Sequence, residues 1–244
     1  MSKFLHLLKG ELLRLKKYNV LTVSFLVSLI WFVVLYFIED HNLLTQLLPM
    51  LLMVDATMMS IIFVGSTMFF EKSEQTIATT LVTPTSYHLH ILSKALANTL
   101  QMFLSSMALA LIFYFTRQVD INFINLTITL FLTIFIHSLF GFLFAYFSKD
   151  FTSMLMLVMA YSVLFLIPTM LREFGVFFTE NIYQYLLLIS PSQAGLNLLN
   201  TSIGHGWSLI SSLSLVALVV IASILYGFII YPKYKAYAVK QSGV

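Results

Sequence analysis

The chain has no cysteine, so disulfides, thiolate metal sites and a cysteine nucleophile are excluded. Charge is also scarce: 9% of residues are charged, against 59% apolar and a mean hydropathy of +0.94. Soluble domains carry charge on about a quarter of their residues. A chain of 244 residues cannot hide this much apolar surface in a water-soluble core, so it is read as an integral membrane protein. The formal charge of +3 is too small to argue for nucleic acid and is explained by membrane topology. No glycine is followed by lysine, so a Walker phosphate loop is missing, as are His-Glu-x-x-His and Gly-x-Ser-x-Gly. By motif the chain is not an enzyme and binds no cofactor. Energy for any transport has to come from a partner or a gradient.

Six apolar runs are long enough to span a bilayer core of about 30 Å: 20–38, 47–70, 95–115, 123–147, 151–171 and 208–231. A barrel-like alternation is missing, and backbone groups in lipid must bond within their own segment, so an all-α fold of six transmembrane helices is expected. No linker, repeat or low-complexity tract divides the chain, and residues 1–244 are read as one membrane domain. Six spans put both termini and the loops at 71–94 and 148–150 on one side. That side holds Lys3, Lys9, Arg14, Lys16, Lys17, Lys72, Lys94, Lys149, Lys233, Lys235 and Lys240, which is 11 of the 13 basic residues; Arg117 and Arg172 fall opposite. The positive-inside rule makes that side cytoplasmic. Trp31, Tyr36, Trp207, Tyr231, Tyr234 and Tyr237 lie near span ends, where interfacial anchors are expected.

Ahead of the first run, Leu5, Leu8, Leu12 and Leu15 share a helical face, while Lys9, Arg14, Lys16 and Lys17 carry the polar side. This predicts an amphipathic helix lying in the inner interface. The longest polar interval between two spans opens with Glu71-Lys72-Ser73-Glu74-Gln75-Thr76-Ile77 and ends at Leu81-Val82-Thr83-Pro84. It has room for a short cytoplasmic helix stopped by Pro84, with Thr76, Ile77 and Thr80 on one face and Leu81 beside it. Such a helix offers a grip to a soluble partner. The segment resembles the acidic-Lys-x-Glu-Gly-Thr-Leu … Thr-Pro signature of type-2 ABC exporter permeases, with Lys94 where that family has a lysine opening the third span. Gln75 stands where glycine is usual and Ala78 where glutamate is common. The stretches Tyr161 to Pro168 and Ile189 to Ala194 look like those of fluoroquinolone-export-type permeases.

The resemblance implies an interfacial elbow helix at the N-terminus and a coupling helix on which two copies of an ATP-binding subunit dock, with ATP and Mg bound on that partner. Its docking residues would be Glu71, Glu74, Thr76, Ile77, Leu81 and Pro84. It also implies a second permease, identical or sister, in a bacterial plasma membrane. Between the fifth and sixth runs, residues 172–207 contain apolar pieces too short to span, broken at Ser190-Pro191; they suit short re-entrant or interfacial helices on the outer side. Two ionisable residues lie within runs, Asp55 and His137. Charges in lipid are costly, so these groups face the bundle or a wet cavity. Asp55 could be satisfied by His137 or by Arg172. If the pair carried protons, the chain would instead be a self-sufficient proton-coupled transporter or channel. His88-x-His90 is read as part of the solvated cytoplasmic loop, with metal binding the lesser alternative. The expected cargo of an exporter with such spans is hydrophobic or amphipathic: a drug, a lipid or a peptide.

Overall fold

A computed structural model describes residues 3–76, 85–204 and 206–241. Its helices are α1 Lys3–Lys17, α2 Val20–Tyr36, α3 His41–Ser73, α4 Tyr87–Arg117, α5 Phe123–Phe147, α6 Phe151–Glu173, α7 Asn181–Leu186, α8 Pro191–Asn200 and α9 Leu209–Tyr237, the last continuing in helical form to Gln241. Among the described residues the extended pairing is limited to one isolated bridge, Ile121 with Ile203. The all-α membrane fold expected from composition is therefore what is found. Five helices (α3, α4, α5, α6 and α9) are long and apolar enough to cross a membrane, and α1 with α2, bent by 63°, makes a sixth if the pair is one broken span. The bend is made at Asn19, which adopts the left-handed conformation with φ 58°. Asparagine tolerates that region better than most residues.

Local chemistry explains where the helices begin. Asp40, Asn122 and Ser190 accept backbone N–H groups at the starts of α3, α5 and α8, and Asp150–Ser153 and Ser208–Ser211 form capping boxes for α6 and α9. α3 has 33 residues and α4 31, about 50 Å and 46 Å at 1.5 Å per residue, so both outreach a bilayer core. The apolar runs 47–70 and 95–115 mark only their middles.

The bundle packs with small and polar side chains inward. α2 buries Ser24 and Ser28 and exposes Leu26, Leu29 and Ile30; α9 buries Ser211 and Ser214; α4 buries Asn98, Gln101, Ser105 and Ser106. In lipid there is no hydrophobic reason to hide leucine, so close backbone approach and hydrogen bonds decide the interior. At Gly141 of α5 an added Cβ would lie 2.9 Å from the Ile61 carbonyl oxygen of α3, so these helices cross with nothing between their backbones.

Three spans contain a π turn: Asp55–Met59 in α3, Ser162–Leu166 in α6 and Leu225–Ile230 in α9. Two of these precede Pro168 and Pro232. Proline has no N–H and its ring crowds the carbonyl four residues earlier, here Leu164 and Phe228, both inside the widened turn. The turns let α6 and α9 pass their prolines without breaking. α7 is exposed, whereas α8 is buried over most of its length. The short helices expected between the last two spans are present, and α8 is inserted among α3, α5 and α9.

Candidate functional site

The far end of α3 carries Glu71, 6% exposed and turned inward. Its Oε1 accepts from Arg14 Nη1 of α1 at 2.8 Å and from Lys94 Nζ of α4. Lys94 also donates to Glu11 Oε2 at 2.9 Å, and Arg14 to Glu11 Oε1 at 2.9 Å. Two carboxylates and two cations thus close a neutral quartet joining α1, α3 and α4. Burying any one of them alone would be costly, but the set leaves no unpaired charge. One turn on, Glu74 accepts from Lys17 Nζ at 2.7 Å and from Tyr18 Oη at 2.9 Å. Those two bonds, Lys17 first, hold the Glu74 carboxyl below its ordinary 4.5.

Glu71, expected among the docking residues, is thus buried and paired inside the protein. Glu11, which sequence reasoning passed over, completes the quartet. It is the one acid in the first 38 residues, set among five basic ones, and that isolation is the signal that could have found it.

The quartet fixes the stem of the polar segment. Gln75 N–H donates to Lys72 O at 3.1 Å and Thr76 N–H to Glu71 O at 3.0 Å, with Gln75 at φ 56°. This is a Schellman cap, whose left-handed position favours glycine. The substitution of Gln75 for the usual glycine thus falls where the backbone makes glycine useful. Thr76 also bonds Glu71 O through its hydroxyl at 3.3 Å. Ile77, Ala78, Thr80, Leu81 and Pro84 lie outside the described residues.

His88 and His90 belong to α4 and not to a loop. His88 stacks on Tyr231 at 3.7 Å between ring centroids and bonds Tyr226 Oη at 2.6 Å; His90 is buried and its Nε2 bonds Thr85 Oγ1. No group of three or more metal-ligating side chains is found among the described residues. Tyr234 and Tyr237 are buried against Tyr87 and Tyr146 and do not sit at an open interface. With Tyr226 and Tyr231 they form an aromatic wall at the same end as the quartet.

Asp55 is 1% exposed at the start of the α3 π turn. Ser106 Oγ donates to its Oδ2 at 3.0 Å, and its Oδ1 has no partner among the described residues. Neither His137 nor Arg172 pairs with it. Arg172 is held by the Phe178 carbonyl at 2.9 Å. His137 Nδ1 donates to Thr133 O at 2.7 Å, and its Nε2 meets Tyr161 Oη at 2.9 Å, which in turn meets Ser192 Oγ at 3.0 Å. A carbonyl can only accept, so Nδ1 carries the proton and a neutral ring accepts from Tyr161. This chain ties α5, α6 and α8 together. Ser190 caps α8 and its hydroxyl also donates to Phe165 O at 3.3 Å, a carbonyl of the α6 π turn; Pro191 takes the first helical position. The two intramembrane ionisable groups thus belong to separate networks.

No curated protein matches the chain. The family model described as ABC-2 type transporter matches residues 2–196, which takes in the quartet, the polar segment, Asp55, the His137 network and the Ser190-Pro191 break. A multi-pass helical membrane domain with this match belongs to the ABC-2 type transporter family.

Proposed function

We infer that the chain is the permease subunit of an ATP-driven exporter, with ATP and Mg bound by a separate ATP-binding subunit. Family membership supports the permease and its ATP-binding partner. The observation that carries the docking assignment is the buried quartet of Glu11, Arg14, Glu71 and Lys94, which braces the stem, up to Thr76, from which residues 77–84 follow in the chain. A force applied to that segment passes directly into α1, α3 and α4. Ile77 and Leu81 are the proposed groove contacts, Thr76 and Glu74 the polar flank, and Pro84 the stop, with Glu71 holding the stem from inside. Two permeases, identical or sister, would each contribute half of a path and receive one ATP-binding subunit. The basic residues support placing both termini and this segment in the cytoplasm of a bacterial cell, with residues 1–244 acting as one membrane domain. Apolar spans and few buried charges support a hydrophobic or amphipathic cargo, the fluoroquinolone-like stretches making a drug one such cargo.

The test is co-purification with the ATP-binding subunit and stimulated ATP hydrolysis. Ile77→Asp, which would bury a charge at an interface core, should abolish both while membrane insertion is unchanged. Wild-type recovery by this variant would remove the docking assignment. A reporter fused after Val244 should be cytoplasmic, and a cysteine at Asn122 should label from outside; the reverse would overturn the orientation.

A further inference from the structure

The four basic residues of α1 from Lys9 to Lys17 divide into two sets. Arg14 and Lys17 are consumed by Glu11, Glu71 and Glu74. Lys9 and Lys16 are exposed and have no ion-pair partner among the described residues. Both line the same cavity of about 520 Å³, whose walls are otherwise almost wholly apolar: Leu12 and Leu13 of α1, Leu21 of α2, and Phe103 and Leu104 of α4. The two lysines are seven residues apart, about two turns on one face of the helix, with Leu12 and Leu13 between them. On α4 the cavity reaches Leu104, ten residues and about 15 Å beyond the Lys94 level at which α1 is pinned. The far wall is braced by the Gln101 amide bonding Ser24 of α2. Free cations at the mouth and a greasy slot running inward match the two ends of one kind of molecule.

We propose that the α1–α2–α4 groove is a binding site for an anionic phospholipid, with its phosphate between Lys9 and Lys16 and an acyl chain along Leu100 to Leu104. Charge complementarity favours this occupant over a zwitterionic lipid, because Arg14 and Lys17 have already been neutralised from within, whereas Lys9 and Lys16 at the groove have not. It also favours it over a second copy of the chain, whose own α1 face would bring like charges together. Nothing in it depends on the ATP-binding partner, so it stands or falls apart from the functional reading.

The full chain, purified in detergent, is offered equimolar phosphatidylglycerol and phosphatidylcholine with identical acyl chains, and retained lipids are counted by native mass spectrometry. A lysine near an anionic surface is worth roughly five-fold in preference, so the pair gives roughly twenty-five-fold for phosphatidylglycerol. The Lys9→Gln/Lys16→Gln variant should lose that preference and keep phosphatidylcholine retention unchanged. Leu104→Trp, which fills the slot, should reduce both lipids. A second measurement needs no variant: phosphatidylglycerol should raise the thermal midpoint of the wild-type chain more than phosphatidylcholine, and high salt should erase the difference. Equal retention of both lipids by the wild type, or unchanged preference in the double variant, would overturn the proposal. So would a Leu104→Trp change that alters self-association and leaves lipid retention as before.

Discussion

The bundle is tied by different chemistry at the end near Glu71 and around the middle of α5. Where α1 crosses α3 and α4 the tie is ionic: Glu11, Arg14, Glu71 and Lys94 are all more than half buried and mutually paired. Where α8 enters between α5 and α6 the tie is neutral, passing from Thr133 through His137 and Tyr161 to Ser192. Asn197 adds a bond to Ser214 of α9 at 3.0 Å. The ionic end lies at the start of the polar segment, where each buried charge has an opposite partner. The neutral tie is buried near the middle of the apolar helix α5, where an unpaired charge would be costly and hydroxyls and amides cost far less. An ionic joint therefore sits under the polar segment that opens at Glu71, and a hydrogen-bonded one holds the inserted helix.

The largest effect that would break this contrast is at Lys94. Lys94→Met leaves Glu11 and Glu71 with Arg14 alone in place of two shared cations, and removing one partner of a buried ionic group costs about 3–5 kcal/mol. The expected outcome is a large drop in thermal midpoint, with loss of complex with the ATP-binding subunit.

At the neutral tie Tyr161→Phe keeps the ring and removes the hydroxyl between His137 and Ser192. It should cost about 1–3 kcal/mol, the penalty for buried groups left unsatisfied, and leave partner binding intact. Equal loss of partner binding in both variants would erase the difference between the two ties.

Gly141→Ala should cost a comparable 1–3 kcal/mol or so by overpacking against the Ile61 carbonyl, and it tests the shared core and neither tie. Gln75→Gly works in the opposite direction. It removes a side chain from a left-handed position and should stabilise by about 1 kcal/mol, seen as a higher midpoint at unchanged helicity.

The smallest effect is the pH response of Glu74. Its carboxyl is held below 4.5 by Lys17 and then Tyr18, so the tie is complete above pH 4.5 and fades as the pH falls through the lowered value. Protection of the Gln75 and Thr76 amides from hydrogen exchange should fall only below about pH 4.5, and in Glu74→Gln, which has no carboxyl to titrate, that pH step should vanish and protection should be reduced throughout.

Much of this was legible beforehand. Lipid leaves the backbone few options, so apolar runs and polar breaks located the spans, and the run of Leu5, Leu8, Leu12 and Leu15 marked α1. The segment opening at Glu71 and the lysine at 94 stood out as a pair of features, and both lie at the same end. What could not be read was which way each side chain turns. Glu71 looks like a solvated residue in sequence, and only the docking of α1 reveals Arg14 above it. Asp55 and His137 invited pairing because they are rare, yet helix rotation hands each to a hydroxyl on a different neighbour. The helical start of His88 and His90 was hidden for a related reason: the apolar signal begins at residue 95, whereas α4 begins at Tyr87.

The claim on which the rest turns is that the segment after Glu74 is where the ATP-binding subunit sits. A photo-crosslinking amino acid placed at Ile77 tests it directly, with one placed at Leu186 of exposed α7 as the comparison from another part of the molecule. Irradiation of the assembled complex should give an adduct of chain plus ATP-binding subunit from position 77 and none from position 186. An adduct from position 186, or none from position 77 in a complex that still hydrolyses ATP, would contradict it.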